Sequence, residues 1–291
     1  MKKGKEQKRK NMSQAAMIWQ RFKKNKLAIT GLVMLTLMIL ICLIGTLTID
    51  YQTAIQQNLQ DTFHKPDREH WFGTDMLGRD MFARIVHGGL TSLGCSIIVI
   101  LLALFIGILF GGISGYVGGK TDIIIMRMID IVMAIPSLLL AMILVVVMGQ
   151  SKVTLILALA LGIFPGLARI VRSSVLTTKG NEYVDAAKCY GASPIKILIK
   201  HVLPNCTGPV IVSTTLMLGA TILSISIFGF LGIGIPSPQP EWGTILSEVR
   251  DSVRYHPYLG IIPGVAIALS VLSINFVGDG LRDALDPRTR K

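Results

Sequence analysis

The sequence predicts an all-α, polytopic membrane protein with six transmembrane helices. Hydrophobic residues make up 51% of its 291 residues, and its mean hydropathy of +0.60 lies well above that of a water-soluble domain. The apolar residues gather into six runs, each long enough to cross hydrocarbon at about 1.5 Å per helical residue. The basic residues behind the net charge of +12 collect at the ends of these runs, which indicates orientation in a membrane rather than binding to nucleic acid.

The first 90 residues divide into a basic tail, one span and a polar segment. Residues 1–26 contain ten Lys and Arg residues and lack the apolar stretch of a cleaved signal peptide, so we expect a cytoplasmic tail that faces anionic lipid. The first span is predicted at 27–48. The polar remainder of residues 27–90 is expected to be extracytoplasmic.

Two short Gly-x-Asp triplets lie in this polar segment, and we call residues 73–80 the signature segment. Its triplets consist of Gly73, Thr74, Asp75, Gly78, Arg79 and Asp80. They predict two turns with local acid–base pairs. His64, His70 and His87 lie near enough to suggest a metal site, but their spacing matches no ligand motif. We therefore expect no metal and no catalytic residue here.

A glycine-rich turn joins the second predicted span, at 91–113, to the third, at 123–148. Its residues 118–121, Gly-Gly-Lys-Thr, invite comparison with a phosphate-binding loop. That loop needs a glycine where Ser114 stands, and no strand precedes it. We therefore expect only a tight turn and no ATP site in this chain.

The third predicted span contains two opposite charges. Arg127 and Asp130 lie three residues apart on one helical face, which predicts an ion pair between them. Charges at membrane depth face protein or water rather than lipid, so the pair is either structural or part of a gate. Pro136 is expected to kink this helix.

The remaining spans are predicted at 153–171, with a bend at Pro165, and at 209–231 and 259–277. The fifth span is rich in hydroxyl groups, which either bond within their own helix or line a hydrated path. The candidate path or gate residues are Arg127, Asp130, Ser213, Thr214, Ser224 and Asn275.

One polar stretch, residues 181–205, interrupts the apolar spans, and we call it the polar loop. It predicts two short amphipathic helices separated at Gly191, the second starting at Ser193 and stopped by Pro204. The apolar face of the first helix is predicted to consist of Tyr183, Ala186, Ala187 and Tyr190. That of the second is predicted to consist of Ile195, Leu198, Ile199 and Val202. Such a pair either fills a groove on a soluble partner or lies on lipid headgroups.

The polar loop resembles the EAA loop of ABC importer permeases, although Asp185 replaces the usual first Glu. In that family the loop is the coupling helix that docks onto an ATPase subunit. The residues that the resemblance assigns to this docking are Glu182, Asp185, Ala186, Ala187, Gly191, Ala192, Leu203 and Pro204.

The signature segment, the loop PSPQPEWGTILSEVRD and the ending at 278–287 resemble the C-type permease subunit of dipeptide, oligopeptide and nickel importers. The resemblance implies a type I ABC importer permease fold, with residues 91–278 as its core and 279–291 as a cytoplasmic tail. It implies four kinds of contact: a homologous second permease, two cytoplasmic ATPases that bind the ATP, an extracytoplasmic solute-binding protein and the lipid bilayer. The solute would be a peptide, or else nickel, glutathione or another small solute.

Charge predicts the orientation in the cell membrane. Of the 29 Lys and Arg residues, 22 lie on the side of the two termini and the polar loop, and 7 on the other. Because positive charge favours the inside, both termini and the polar loop are predicted to be cytoplasmic. A channel or an intramembrane enzyme is the remaining alternative, but the sequence contains no HExxH or GxSxG motif.

Overall fold

The computed structural model describes residues 14–285, and this part of the chain is almost entirely helical. The first half of the predicted basic tail and the end of the closing motif lie outside the described residues. The α-helices are α1 (Gln14–Phe22), α2 (Lys26–Thr48), α3 (Tyr51–Ile55), α4 (Met81–Val117), α5 (Gly119–Met133), α6 (Ser137–Met148), α7 (Lys152–Thr178), α8 (Glu182–Cys189), α9 (Pro194–Ile197), α10 (Thr207–Phe230), α11 (Trp242–Val249) and α12 (Tyr258–Leu285).

Five helical stretches are long and apolar enough to cross a membrane: α2, α4, α7, α12 and the stretch Pro194–Phe230, which includes α10. Helices α5 and α6 together account for a sixth span, broken by a bend of 79°. Pro136 lies at this break, where it supplies no backbone N–H and its ring would clash with the preceding turn. The predicted kink is therefore a complete break.

Several helices are longer than the predicted spans. Helix α4 begins ten residues before the predicted start, because the Asp80 side chain accepts a hydrogen bond from the Ala83 amide (2.7 Å) and caps it. Helix α7 continues to Thr178 and α12 to Leu285. Pro165 lies inside α7 without ending it.

The centre of the bundle is the contact between α4 and α7. Gly107, Gly111 and Gly115 of α4 are spaced four apart and face α7. A Cβ atom at Gly111 would lie 2.2 Å from the Ala168 carbonyl oxygen, so only glycine permits this approach. Small residues at this spacing let membrane helices pack backbone to backbone. The pair forms the rigid support from which the polar loop extends.

Candidate functional site

The polar loop has the predicted two-part structure with a different ending. Gly191 adopts φ +72°, and its amide donates to the Lys188 carbonyl (2.9 Å), which ends α8 as predicted. Ser193 caps α9, as its side chain accepts from the Lys196 amide (3.4 Å). The predicted stop at Pro204 is wrong. A π-helical turn, Leu198–Val202, and a 3₁₀ turn, Leu203–Cys206, continue directly into α10.

The polar loop has a buried face and an exposed face, and neither matches a predicted apolar face. The buried residues are Val184, Ile197, Val202 and Cys206, and they pack against Val171 and Val175 of α7. The π turn explains the different buried face of the second helix. It adds a residue to one turn and so brings Ile197 and Val202, five apart, to the same side. The predicted stripes are therefore split, with Ala187, Leu198 and Val202 turned toward the bundle.

The polar loop has four large apolar side chains that are exposed in the described part of the chain. Their exposed fractions are 42% for Tyr183, 92% for Tyr190, 72% for Ile195 and 58% for Ile199. We call these four residues the outer face. A loop that leaves such groups exposed has a surface suited to a protein partner.

The charged side chains of α8 are exposed, and the ion pair among them joins residues of the same helix. Glu182 and Asp185 lie in the first turn of α8, where the helix dipole favours negative charge. The Lys188 ammonium donates to Asp185 Oδ1 (2.8 Å), and this hydrogen bond raises the pKa of Lys188. Ala186 is exposed, Ala192 is half-buried, and Leu203 and Pro204 lie in the 3₁₀ turn.

A cavity of about 800 Å³ separates the polar loop from the ends of α4 and α7. Tyr116, Lys179 and Ile195 are among its lining residues. The Lys179 ammonium donates to the Gly115 carbonyl at the end of α4 (2.8 Å), so it joins α4 to α7 beside the loop. The polar loop is thus attached mainly through its buried face.

The predicted ion pair between Arg127 and Asp130 is wrong. Asp130 accepts instead from Arg169 Nη2 of α7 at 2.5 Å. Arg127 is exposed and has no ion-pair partner within residues 14–285. The rotation of α5 against α7 determines which arginine pairs with Asp130. The spacing of residues within one helix cannot predict that rotation.

A second ion pair between α5 and α7 was not predicted. Arg172 donates two hydrogen bonds to the Asp122 carboxylate, each 2.5 Å, and the Ser114 hydroxyl donates to the same group. Since Arg169 and Arg172 are three apart on α7, the two pairs fasten α5 along one face of α7. The only sequence signal was the presence of two arginines near the end of a span.

The hydroxyl groups of α10 mostly bond within their own helix. Thr214 donates to the Val210 carbonyl (2.7 Å), and Ser224 to that of Ala220 (3.0 Å). Ser213 and Asn275 are half-buried, and their side chains have no hydrogen-bond partner in the described part of the chain. Hydrogen bonding within the helix therefore accounts for Thr214 and Ser224, but it does not account for Ser213 and Asn275.

The signature segment contains the two predicted turns, closed at Gly73 and Gly78, and its charged side chains also join one buried cluster. The predicted local pair is present, with Arg79 Nε donating to Asp75 Oδ2 at 2.7 Å. Arg84 donates to the same oxygen at 2.6 Å, and both arginines donate to Glu248 of α11. The side chains of Asp75, Arg79 and Arg84 are at most 2% exposed. We call these four residues the charge cluster.

The electrostatics of the charge cluster favour the ionised form of Glu248. Burial alone would raise the pKa of Glu248, but the charges of Arg84 and Arg79 outweigh it and hold that pKa below its ordinary value. Glu248 lies 164 positions after Arg84, so local sequence patterns could not predict this contact. The cluster ties α4 to α11 at the end of the bundle away from the polar loop.

The other signature residues have structural partners. Gly73 and Gly78 both have positive φ, and a Cβ atom at Gly78 would lie 1.7 Å from the Asn58 carbonyl oxygen. The Thr74 hydroxyl donates to the Asp61 carbonyl and accepts from the His64 amide. Asp80 caps α4 and pairs with His70 (2.7 Å).

A buried carboxylate organises the start of α11. Glu241 accepts from the Ser92 hydroxyl (2.9 Å) and from the amides of Gly243 (2.9 Å) and Thr244 (2.8 Å). Burial raises the pKa of Glu241, although these hydrogen bonds oppose the shift. Next to it, Trp242 is buried and its indole N–H donates to the Ile85 carbonyl (3.0 Å). These contacts fix α11 against α4.

The described residues thus form five long helices and one broken span, with a structured polar loop between two of them. Inward-facing structures of the MetNI methionine ABC transporter share this fold: one has a TM-score of 0.58 at 20% identity, covering 71% of this chain and 98% of that one. The fold is that of an ABC importer permease.

Sequence comparison identifies the family. Residues 107–291 match the family of binding-protein-dependent transport system inner membrane components, and residues 13–66 match the N-terminal transmembrane domain of oligopeptide transport permease C. The chain belongs to the first family, and it is therefore a multi-pass membrane permease subunit of an ABC importer. The predicted resemblance is confirmed.

Three relatives align over nearly the whole chain. The dipeptide transport system permease protein DppC of Alkalihalophilus pseudofirmus is 42% identical, over 94% of this chain and 89% of its own length. The oligopeptide transport system permease protein OppC of Bacillus subtilis is 40% identical, over 93% and 88%. The glutathione transport system permease protein GsiD of Escherichia coli is 36% identical, over 94% and 90%.

Proposed function

We propose that this chain forms the membrane path of an ATP-driven importer for dipeptides or oligopeptides, together with a second, homologous permease. The two relatives above with the higher identities are named for dipeptide and oligopeptide transport. The relative named for glutathione transport is somewhat less similar. Glutathione, nickel or another small solute is therefore the second candidate cargo for the same architecture.

The polar loop is the observation that supports the mechanism. Its inner face is anchored to α7, while its outer face leaves two tyrosines and two isoleucines exposed. An amphipathic element with this division docks into a groove of a soluble partner. That partner is one of two cytoplasmic ATPase subunits, which bind the ATP, so that this chain needs no cofactor and performs no chemistry of its own.

The contacts of α7 provide a route from docking to transport. Val171 and Val175 pack against the polar loop, and Arg169 and Arg172 of the same helix bind α5. Displacement of the loop by ATP-driven closure of the ATPases therefore moves α7 and α5 together. Such a coupled motion changes which side of the path is open. An extracytoplasmic binding protein delivers the solute to the outer opening.

The orientation of the chain follows from its charge. The termini and the polar loop lie on the cytoplasmic side, because most of the basic residues are there. A reporter active only in the cytoplasm should be active when fused after Lys291 or within residues 188–196, and silent near Asp61 or Glu241. Activity at Asp61 would contradict this orientation.

The function is tested by uptake into proteoliposomes that contain this chain, its second permease and both ATPases. Labelled dipeptides and tripeptides should accumulate only when ATP and the binding protein are both supplied, on their respective sides. Uptake of nickel or glutathione by the same vesicles, instead of peptides, would indicate the second candidate cargo. Solute entry without ATP would instead indicate a channel.

A further inference from the structure

A second cavity lies between α10 and α12, away from the polar loop and the charge cluster. It is an open groove of about 580 Å³, and Leu246 of α11 closes part of one side. From Gly264 to Asn275 it follows α12 for 11 residues, or about 16 Å at the helical rise. This length matches about four or five residues of extended chain.

The lining of this groove is apolar with two polar groups. Leu223 and Phe230 of α10 and Ile267 of α12 represent the apolar part, and none of the lining residues is charged. The two amide or hydroxyl groups with free hydrogen-bonding capacity are Ser226 and Asn275. Small-molecule sites commonly have this composition and a volume of about 300–1,000 Å³.

Ser226 is unusual because its hydroxyl has no partner. The residue is 5% exposed, and no group within residues 14–285 hydrogen-bonds to its Oγ atom. By contrast, the hydroxyls of Thr214 and Ser224 donate to carbonyls of the same helix. A buried polar group without a partner is rare in folded proteins, and it indicates that something absent from this single chain supplies the missing bond.

Asn275 marks the narrow end of the groove. Its Oδ1 atom lies 3.0 Å from where a Cβ atom would be at Gly219, so α10 and α12 approach closely there. At the other end of the groove, a Cβ atom at Gly264 would meet nothing within 4 Å. The groove therefore has free space at one end and an unpaired amide at the other.

Three kinds of occupant can be compared by their chemistry. A lipid acyl chain supplies no hydrogen bond and leaves Ser226 and Asn275 unpaired. A helix of the second permease has its backbone groups already bonded within itself, so only a polar side chain placed opposite Ser226 or Asn275 could bond to them. An extended peptide has free N–H and C=O groups as well as side chains, so it satisfies both the polar and the apolar parts. A charged side chain would lose its hydration without finding a counter-charge.

We infer that the groove between α10 and α12 binds uncharged, apolar side chains of the transported peptide, with Ser226 and Asn275 hydrogen-bonding to the peptide backbone. This inference rests on the proposed function as a peptide permease. It assigns this chain a part in selecting the solute, in addition to any selection by the binding protein. The charged ends of the peptide lie on the open, hydrated side of the groove.

The test places a larger side chain in the free space of the groove and leaves its other lining residues unchanged. Gly264→Leu places a side chain in the free space, and Gly94→Leu is the matched control. A Cβ atom at Gly94 of α4 also meets nothing within 4 Å, and Gly94 is outside the groove. The measurement is uptake of trileucine and of trialanine by the complete reconstituted importer. Because every reconstitution uses the same binding protein, its own preference cancels when the ratio is compared between variants.

We expect Gly264→Leu to lower the trileucine-to-trialanine uptake ratio about tenfold, and Gly94→Leu to leave it unchanged. Ser226→Ala should lower uptake of both peptides to a similar degree, since both offer the same backbone. If the leucine variant fails to assemble, Gly264→Val decides the question in the same way. An unchanged ratio in a groove-filling variant would overturn the inference. Absence of peptide uptake by the parent importer would instead contradict the proposed function.

Discussion

Replacing Asp75 with Asn is expected to destabilise the protein by about 3–5 kcal/mol, because it leaves two buried guanidinium groups with a single carboxylate, that of Glu248. Arg79 and Arg84 both donate to one Asp75 oxygen, and their side chains are at most 2% exposed. Asparagine has the same shape but no charge. The expected results are a lower thermal midpoint of the purified complex and a lower level of mature protein in the membrane.

A matched control separates burial from the loss of a carboxylate. Asp67 is also in the segment between α3 and α4, but its side chain is 42% exposed and its hydrogen bonds come from the amides of Glu69 and His70. Asp67→Asn keeps an acceptor oxygen there and should shift the midpoint little. Equal shifts for Asp75→Asn and Asp67→Asn would show that the charge cluster does not stabilise the fold.

The charge cluster also predicts a dependence on pH. Because the folded protein holds the pKa of Glu248 below its ordinary value, ionised Glu248 stabilises the fold above the unfolded pKa of about 4.3. This stabilisation is lost as the pH falls through the depressed folded value. The thermal midpoint should therefore fall steeply below about pH 4, and Glu248→Gln should flatten that part of the curve.

Gly191→Arg is expected to abolish ATPase association while leaving the membrane bundle intact. Gly191 lies outside the spans, and a Cβ atom there would meet nothing within 4 Å, so arginine causes no clash inside this chain. It would instead project beside Tyr190 of the outer face, where the proposed partner docks. Recovery of ATPase subunits in a pull-down at matched membrane abundance should fall about tenfold or more, as at an interface hot spot.

The control must share the backbone strain of this substitution. Gly191 has φ +72°, a region that disfavours every residue with a side chain but disfavours asparagine least. Gly191→Asn should therefore associate nearly as the parent does. Asp185→Lys should weaken association, because it reverses a charge in the first turn of α8, whereas Ser193→Ala should cost only about 1 kcal/mol of capping. Full association and uptake by Gly191→Arg would exclude the polar loop as the docking element.

The sequence predicted what is determined locally. Apolar run lengths located the spans, and the glycine at position 191 and the Ser-Pro pair at 193–194 located the break and the second start in the polar loop. Each span depends on a single continuous run of residues, and the break and the second start each depend on residues within about one turn of helix. The same is true of the pair between Asp75 and Arg79, which are four residues apart.

The features that were missed depend on how distant elements pack. The sequence offered Arg127 as the nearest partner for Asp130, but the rotation of α5 against α7 selects Arg169. The contact between Arg84 and Glu248 joins two helices far apart in the chain. The apolar face of the second helix of the polar loop was misassigned because a regular helix was assumed, whereas a π turn at Leu198–Val202 shifts the register by one residue.

The central claim, that the outer face of the polar loop docks onto an ATPase subunit, is tested most directly by cross-linking from Cys189. This cysteine lies in α8 and is exposed, while Cys42, Cys95 and Cys206 are buried. A photoactivated cross-linker attached to Cys189 in the assembled importer should form an adduct with an ATPase subunit, identified by mass spectrometry. The yield should fall in Gly191→Arg and persist in Gly191→Asn. Adducts formed only with lipid or with the second permease would contradict the claim.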